Sequence, residues 1–345
     1  MAQRVTIRQI AERAGVGLST VSRVMNNHPD VSDAARAAVE EAVRALNYRT
    51  NFSARAMRTQ QSQIIAFITD QIATTPYAVR TIEGAQMLAW EHGKLLFVVN
   101  THGRPDVENS ALEHMLERQV EGVIYAAMYH RMVEPPPILR ELPTVLVDCF
   151  SASGEYPSVV PDEEEAAFEA TTHLIAAGHR RIALINLRES AIAGTLRTHG
   201  YIRALETAGL PVDRSLIHYG NWTTDMGYDL TGHVMARDDA PTALFCANDR
   251  TAMGAYMALH EIGRRIPHDV AVVGFDDQEV IAAVLRPPLT TMALPHDEMG
   301  RWAVRHLVEN AGRPLAPVQQ KLTCPLIVRD SVRLNGRDDP RPRSM

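Results

Sequence analysis

Two spacings of hydrophobic and polar positions divide the chain. From Ile7 the period is helical: Ile7, Ile10, Ala11 and Ala14 share one face, while Arg8, Glu12 and Arg13 occupy the other. Thr6 can cap this helix, and Gln9 three residues on can close a capping box. Gly15 supplies a residue that tolerates positive φ at its end, and after Val16 and Gly17 a second run from Leu18 puts Val21, Val24 and Met25 inward. Ser32 can cap a third helix whose stripe is Ala35, Val39, Ala42, Val43 and Leu46, ended by Asn47 and Tyr48. Two short helices joined by a tight glycine turn make a helix-turn-helix. The next stretch, residues 51–59, has helix-forming residues but is too short to be stable alone.

Past Gln63 short apolar runs alternate with helical ones. Strands are expected at 64–68, 95–99, 123–125, 145–147, 182–185, 217–219, 243–246 and 270–274. Helices are expected at 76–92, 107–118, 163–177, 196–208, 223–236 and 251–262, several of them ended by glycine. Repeated βα units imply an α/β fold with parallel sheets wrapped by helices, and this length suits two sheets of roughly five or six strands each.

The total charge of −6 changes this picture only once it is divided. Residues 1–62 hold nine arginines against five acids, a net of +4, so the rest carries −10. A basic end on an acidic body is the electrostatic footprint of phosphate binding confined to that end. In a helix-turn-helix the second helix enters the DNA major groove, making Leu18, Ser19, Ser22 and Arg23 the candidate readers. Arg23 suits guanine, whose O6 and N7 accept two parallel hydrogen bonds.

The remaining chemistry is mostly exclusion. No run of 18 apolar residues and no secretory signal is evident, and Cys149, Cys246 and Cys324 are far apart without metal spacing, so a reducing cytoplasm is expected. A Rossmann-like enzyme would show G-x-G-x-x-G after the first strand, and neither it nor Walker A, G-x-S-x-G or H-E-x-x-H occurs. A periplasmic solute-binding protein would need the export signal. In open α/β sheets the ligand crevice lies beyond the carboxyl ends of the strands, where Asp70, Asn100, Asp148, Asn248, Asp249 and Asp276 stand. Of these, Asp249 is expected to cap the helix that follows.

The phrase V-T-I-x-x-I-A-x-x-A-G-V-x-x-x-T-V-S-R-V-x-N over residues 5–26 resembles the DNA-binding headpiece of the lactose and galactose repressor family. The resemblance continues in GHRRIALI (178–185), PTALFCAND (241–249), DVAVVGFDD (269–277) and PPLTTM (287–292). Gly17 stands where the family usually has Ser. The resemblance implies an all-α headpiece at 1–50, a hinge helix and linker at 51–62, and a two-lobed, periplasmic-binding-protein-like core that the chain crosses three times. One lobe would be 63–161 plus 291–322, the other 162–290 plus 323–333, with 334–345 a disordered tail.

It also implies residue roles. Thr6, Thr20 and Asn26 join the readers as DNA contacts, and Ala54, Arg55 and Met57 place the hinge in the minor groove, where Met57 replaces a usual Leu as wedge. Asp148, Arg197, Asn248 and Asp276 would hold an effector, with Trp222 stacking on a sugar ring, and Tyr77, just after Pro76, is by its position the first-lobe candidate for the effector cleft's rim. The loop 70–76 is longer than the family's usual turn. The implied protein is a transcriptional regulator, most often a repressor, binding a double-stranded DNA operator as a homodimer and sensing a small metabolite, a sugar or alternatively a purine acting as corepressor. No cofactor or metal is expected, and no Leu heptad after residue 330 drives a tetramer.

Overall fold

The structure, a computed structural model, describes residues 5–25, 28–48 and 62–333. The chain divides into two compact units, Met1–Ser62 and Gln63–Met345.

In the first unit α1 (Ile7–Ala14), α2 (Leu18–Met25) and α3 (Asp33–Ala45) form a small bundle. The capping box is present: Gln9 N donates to Thr6 Oγ1, and Thr6 N donates to Gln9 Oε1 at 2.8 Å. Gly15 takes φ 66° and returns its N–H to the Ala11 carbonyl, ending α1 in one residue. Gly17 opens α2 through its carbonyl, which accepts from Val21 N at 3.1 Å. Ser32 caps α3 through Ala35 N. Ile10, Ala11, Val21, Val24, Val39 and Ala42 are the buried core. Ile7, expected inward, is exposed, because the six-residue core closes without the first turn of α1. Asn26 and the hinge residues Ala54, Arg55 and Met57 lie outside the described residues.

The second unit contains two six-stranded sheets. The first is built from β1 (Ile64–Thr69), β2 (Leu95–Asn100), β3 (Gly122–Val133), β4 (Thr144–Ser151), β5 (Ser158–Pro161) and β11 (Gln319–Leu322). Its order is β11-β5-β4-β3-β1-β2, all parallel. The second is built from β6 (Ile182–Asn186), β7 (Ile217–Tyr219), β8 (Ala243–Cys246), β9 (Ala271–Asp276), β10 (Thr290–Ala293) and β12 (Leu326–Ile327). Its order is β12-β10-β9-β8-β6-β7, parallel except for the short antiparallel edge strand β12.

Around them run α4 (Val79–Glu91), α5 (Pro105–Glu117), α6 (Glu163–Ala176), α7 (Ile192–Thr207), α8 (Thr224–Met235), α9 (Asp249–Glu261) and α10 (His296–Glu309). Helices on both faces explain why β1, β6, β8 and β9 read as apolar runs and why they and β4 are buried almost throughout.

The chain passes between sheets after Pro161, Ala293 and Leu322. This moves one expected boundary. Residues 291–293 belong to the second sheet, because β10 pairs with β9 from Thr290 to Ala293 before α10 returns to the first. β3 also runs eight residues beyond its expected end at Tyr125, and α4 begins at Val79 instead of Pro76, since a 3₁₀ turn at Ile72–Thr74 buries Ile72 ahead of it. Among the described residues no helix is long and apolar enough to cross a membrane.

Candidate functional site

The carboxyl ends of both sheets face one cleft of about 550 Å³. Its first-lobe wall comes from an irregularity in β3. Ala126 pairs with Val147 and Arg131 with Cys149, so four residues, 127–130, stand opposite the single residue Asp148. Met128, Tyr129, His130, Arg131 and Met132 thereby line the cleft. Asp70 holds the bulge in place: its Oδ1 accepts from Met128 N at 3.1 Å, and its Oδ2 pairs with Arg131 Nη2 at 2.9 Å. Asp70 is thus a support for the wall. Asn100 meets its own loop, through His102.

The second-lobe wall comes from the loops after β6 and β7, from the first turns of α7 and α9, and from the end of β9. Asn186 at the end of β6 donates through Nδ2 to the Gly194 carbonyl and to Thr198 Oγ1, both at 2.8 Å, pinning the start of α7. Residues 190–193 line the cleft there, and Ala191 offers no side-chain cap to the first turn of the helix.

At the inner end Arg197 is almost fully buried. Its Nε donates to Glu163 Oε2 at 2.7 Å, Nη1 donates to the Ala247 carbonyl, and the guanidinium lies 3.7 Å from the centre of the Phe275 ring. Burial and three carboxylates around one guanidinium set the electrostatics. Desolvation, reinforced by Glu163, holds the Asp148 carboxyl well above the usual range, and desolvation pushes Asp276 up to about 7 against the pull of Arg197. Asp148 Oδ1 is buried without a hydrogen-bond partner. Both aspartates take left-handed backbone, φ 54° and 102°, a conformation that non-glycine residues adopt at a cost and mostly at functional sites.

The expected effector residues therefore separate. Tyr77, Arg197, Trp222, Asn248 and Asp276 line the cleft together. Asp148 stands behind them, close enough to raise the Tyr77 hydroxyl further after burial and Asp276 have done so. Trp222 leaves its indole half open under the Arg188 guanidinium, 5.7 Å away. Asn248 has two tasks: its Oδ1 caps α9 by accepting from Thr251 N at 2.7 Å, and its Nδ2 donates to the Trp222 carbonyl. The capping expected of Asp249 is done by Asn248. Asp249 instead accepts from Gln278 N at 2.6 Å and from Thr291 Oγ1 at 2.7 Å, tying α9 to the loop after β9 and to β10. His130, Glu163, Arg188 and Gln278 also line the cleft and were not foreseen. The strand before Glu163, β5, carries no expected pattern, so no sequence signal pointed to it.

In the first unit Leu18, Ser19 and Arg23 are exposed on α2, while Thr20 and Ser22 are half-buried. One outer face of the helix is thus open over the buried Val21 and Val24.

Residues 6–51 match the model of bacterial regulatory proteins of the lacI family, and residues 62–327 that of periplasmic binding proteins and the sugar-binding domain of the LacI family. The sucrose operon repressor of Escherichia coli is 36% identical over 332 residues, covering 94% of this chain and 99% of that one. Among solved structures, a complex of the transcriptional regulator CelR with cellobiose is 31% identical with a TM-score of 0.67, covering 95% of this chain and 100% of that one. The lac repressor dimer bound to operator and the anti-inducer ONPF is 27% identical with a TM-score of 0.76, covering 95% and 99%. With a reading helix at one end and a two-sheet effector core behind it in sequence, the chain belongs to the LacI family, as a DNA-binding transcriptional repressor under metabolite control.

Proposed function

We propose that the chain represses transcription as a homodimer on a pseudo-palindromic operator and that its effector is a neutral mono- or disaccharide. The observation that carries the ligand class is the cleft. Its volume falls within the range of small-molecule sites, and it combines an open indole with convergent, buried hydrogen-bonding groups at Arg197, Asn248 and Asp276. An aromatic face beside carboxyl and amide groups suits a ring that is apolar on its face and hydroxylated at its edge. The sucrose operon repressor and the CelR–cellobiose complex support the same class.

For DNA, Leu18, Ser19, Ser22 and Arg23 reach base edges, and Thr6, Thr20 and Asn26 contact the same site. Ala54, Arg55 and Met57 enter the minor groove between half-sites. A second copy covers the apolar surface of α4 and β2, where Met87, Leu95, Phe97 and Val98 are exposed and Trp90 is 65% exposed. The lac repressor dimer supports that stoichiometry.

Control is linkage: a sugar that favours one arrangement of the two lobes changes operator affinity, and operator changes sugar affinity by the same factor. Titration of a fluorescent fragment of the chain's own promoter, with and without sucrose, cellobiose and ribose, should show tight binding that one sugar shifts by about 5- to 150-fold. Indifference of the operator complex to every sugar would overturn the effector class.

A further inference from the structure

The cleft brings together one pair of side chains from opposite lobes that the residue roles above leave unused. His130 stands on the β3 bulge of the first lobe, and Glu163 opens α6 immediately after the first crossing. Both are nearly fully buried, both line the cleft, and His130 Nδ1 lies 4.0 Å from Glu163 Oε1. That distance is too long for a hydrogen bond. Nδ1 has no hydrogen-bond partner. Glu163 meanwhile commits its other oxygen to Arg197. The rings of His130 and Phe150 meet edge to face, their centroids 5.8 Å apart, which holds the imidazole in this orientation.

We infer that His130 and Glu163 together grip one hydroxyl of the effector, one residue from each lobe. The geometry suits a hydroxyl in particular. An oxygen about 2.8 Å from each atom subtends an angle of roughly 90° between them, close to that between a hydroxyl's donor and acceptor directions. The hydroxyl donates to Glu163 Oε1 and accepts from His130 Nδ1 in the neutral tautomer that carries its proton there. Burial, acting against Glu163, keeps His130 in that neutral form by lowering its pKa. An ether oxygen in the same place has no proton for Glu163, so the pair selects a hydroxyl over an ether. Because the two residues belong to different lobes, filling the site also joins the lobes, giving the sugar a direct grip on their relative position.

This rests on the sugar-sensing function proposed above, and the experiment separates the two. Calorimetric titration of the full chain with sucrose, cellobiose and ribose first asks whether the wild type binds. His130→Phe keeps the ring and its contact with Phe150 but removes the N–H. It should weaken the bound sugar by about 10- to 100-fold, with His130→Asn recovering part of the loss. Wild-type affinity in His130→Phe, to within about twofold, overturns the clamp and leaves the sugar sensor standing. No binding of any of the three sugars to the wild type overturns both. Should His130→Phe fail to fold, the wild-type imidazole Nδ1 nitrogen resonance decides: it should move on sugar addition, and its failure to move with sugar bound overturns the proposal.

Discussion

At the scale of single residues, Arg197 shows how a ligand contact and a structural support can be the same side chain. Its guanidinium is buried, paired with an equally buried Glu163 and seated on Phe275, so the cleft's inner wall depends on it before any effector arrives. A sequence argument that treats Arg197 as a pure effector contact predicts that Arg197→Ala silences the response and leaves the fold untouched. The structure predicts otherwise. Removing one partner of a buried ion pair strands the other charge, at a cost of roughly 3–5 kcal/mol. Urea denaturation of Arg197→Ala should show a loss of that order, and wild-type stability would mean that water reaches Glu163 once the guanidinium is gone. Trp222 is the contrasting case, since its indole is half open and takes part in no buried ion pair.

At the scale of elements, three helix pairs approach so closely that a methyl group would collide with backbone. A Cβ on Gly84 or Gly300 would lie 2.1 or 2.0 Å from a carbonyl oxygen of the partner helix, joining α4 to α10. Gly200 does the same between α7 and α6, and Gly227 and Gly254 between α8 and α9. Gly232 lies on α8 as well but faces open space. The two glycines give opposite expectations. Gly254→Ala should lose about 1–3 kcal/mol through overpacking. Gly232→Ala should gain up to about 1 kcal/mol, since alanine is the better helix former. Chemical denaturation of the two variants reads both signs, and equal effects would mean that the helices separate readily.

Which elements were legible follows from the same physics. Strong periodicity and caps marked α1, α3 and most βα units, because helix faces and buried strands leave dense local patterns. β5, β10, β11 and β12, at and around the lobe crossings, went unforeseen, whereas the equally short β7 and β8 were legible as the apolar starts of regular βα units. The β3 bulge left no trace in the chain, since His130 and Arg131 look like any polar break after a strand. The cleft was accordingly half legible: strand-end polar residues pointed to Asn248 and Asp276, whereas His130 and Glu163 meet only through tertiary structure.

At the scale of the whole molecule, charge is divided between a basic first 62 residues and an acidic remainder. Phosphate contacts therefore come from one end, and counterion release makes operator affinity steeply dependent on salt. For a dimer contributing two headpieces, affinity should fall about 10³-fold or more between roughly 50 and 200 mM salt. Anisotropy titrations across that range measure the slope, and a flat line would point to a protein partner in place of DNA. The −10 of the remaining chain opposes additional, unspecific DNA contact.

The bulge in β3 has a practical consequence. Residues 127–130 take no part in the pairing of β3 with β4, and Ala127 is held in the core, so exchanging Met128, Tyr129 and His130 need not disturb the strand register on either side. New ligand preferences could be bred into this repressor by randomising that short segment alone, with Asp70 and Arg131 kept as its fixed mounting. A reporter strain carrying such a library would become a source of tailored biosensors.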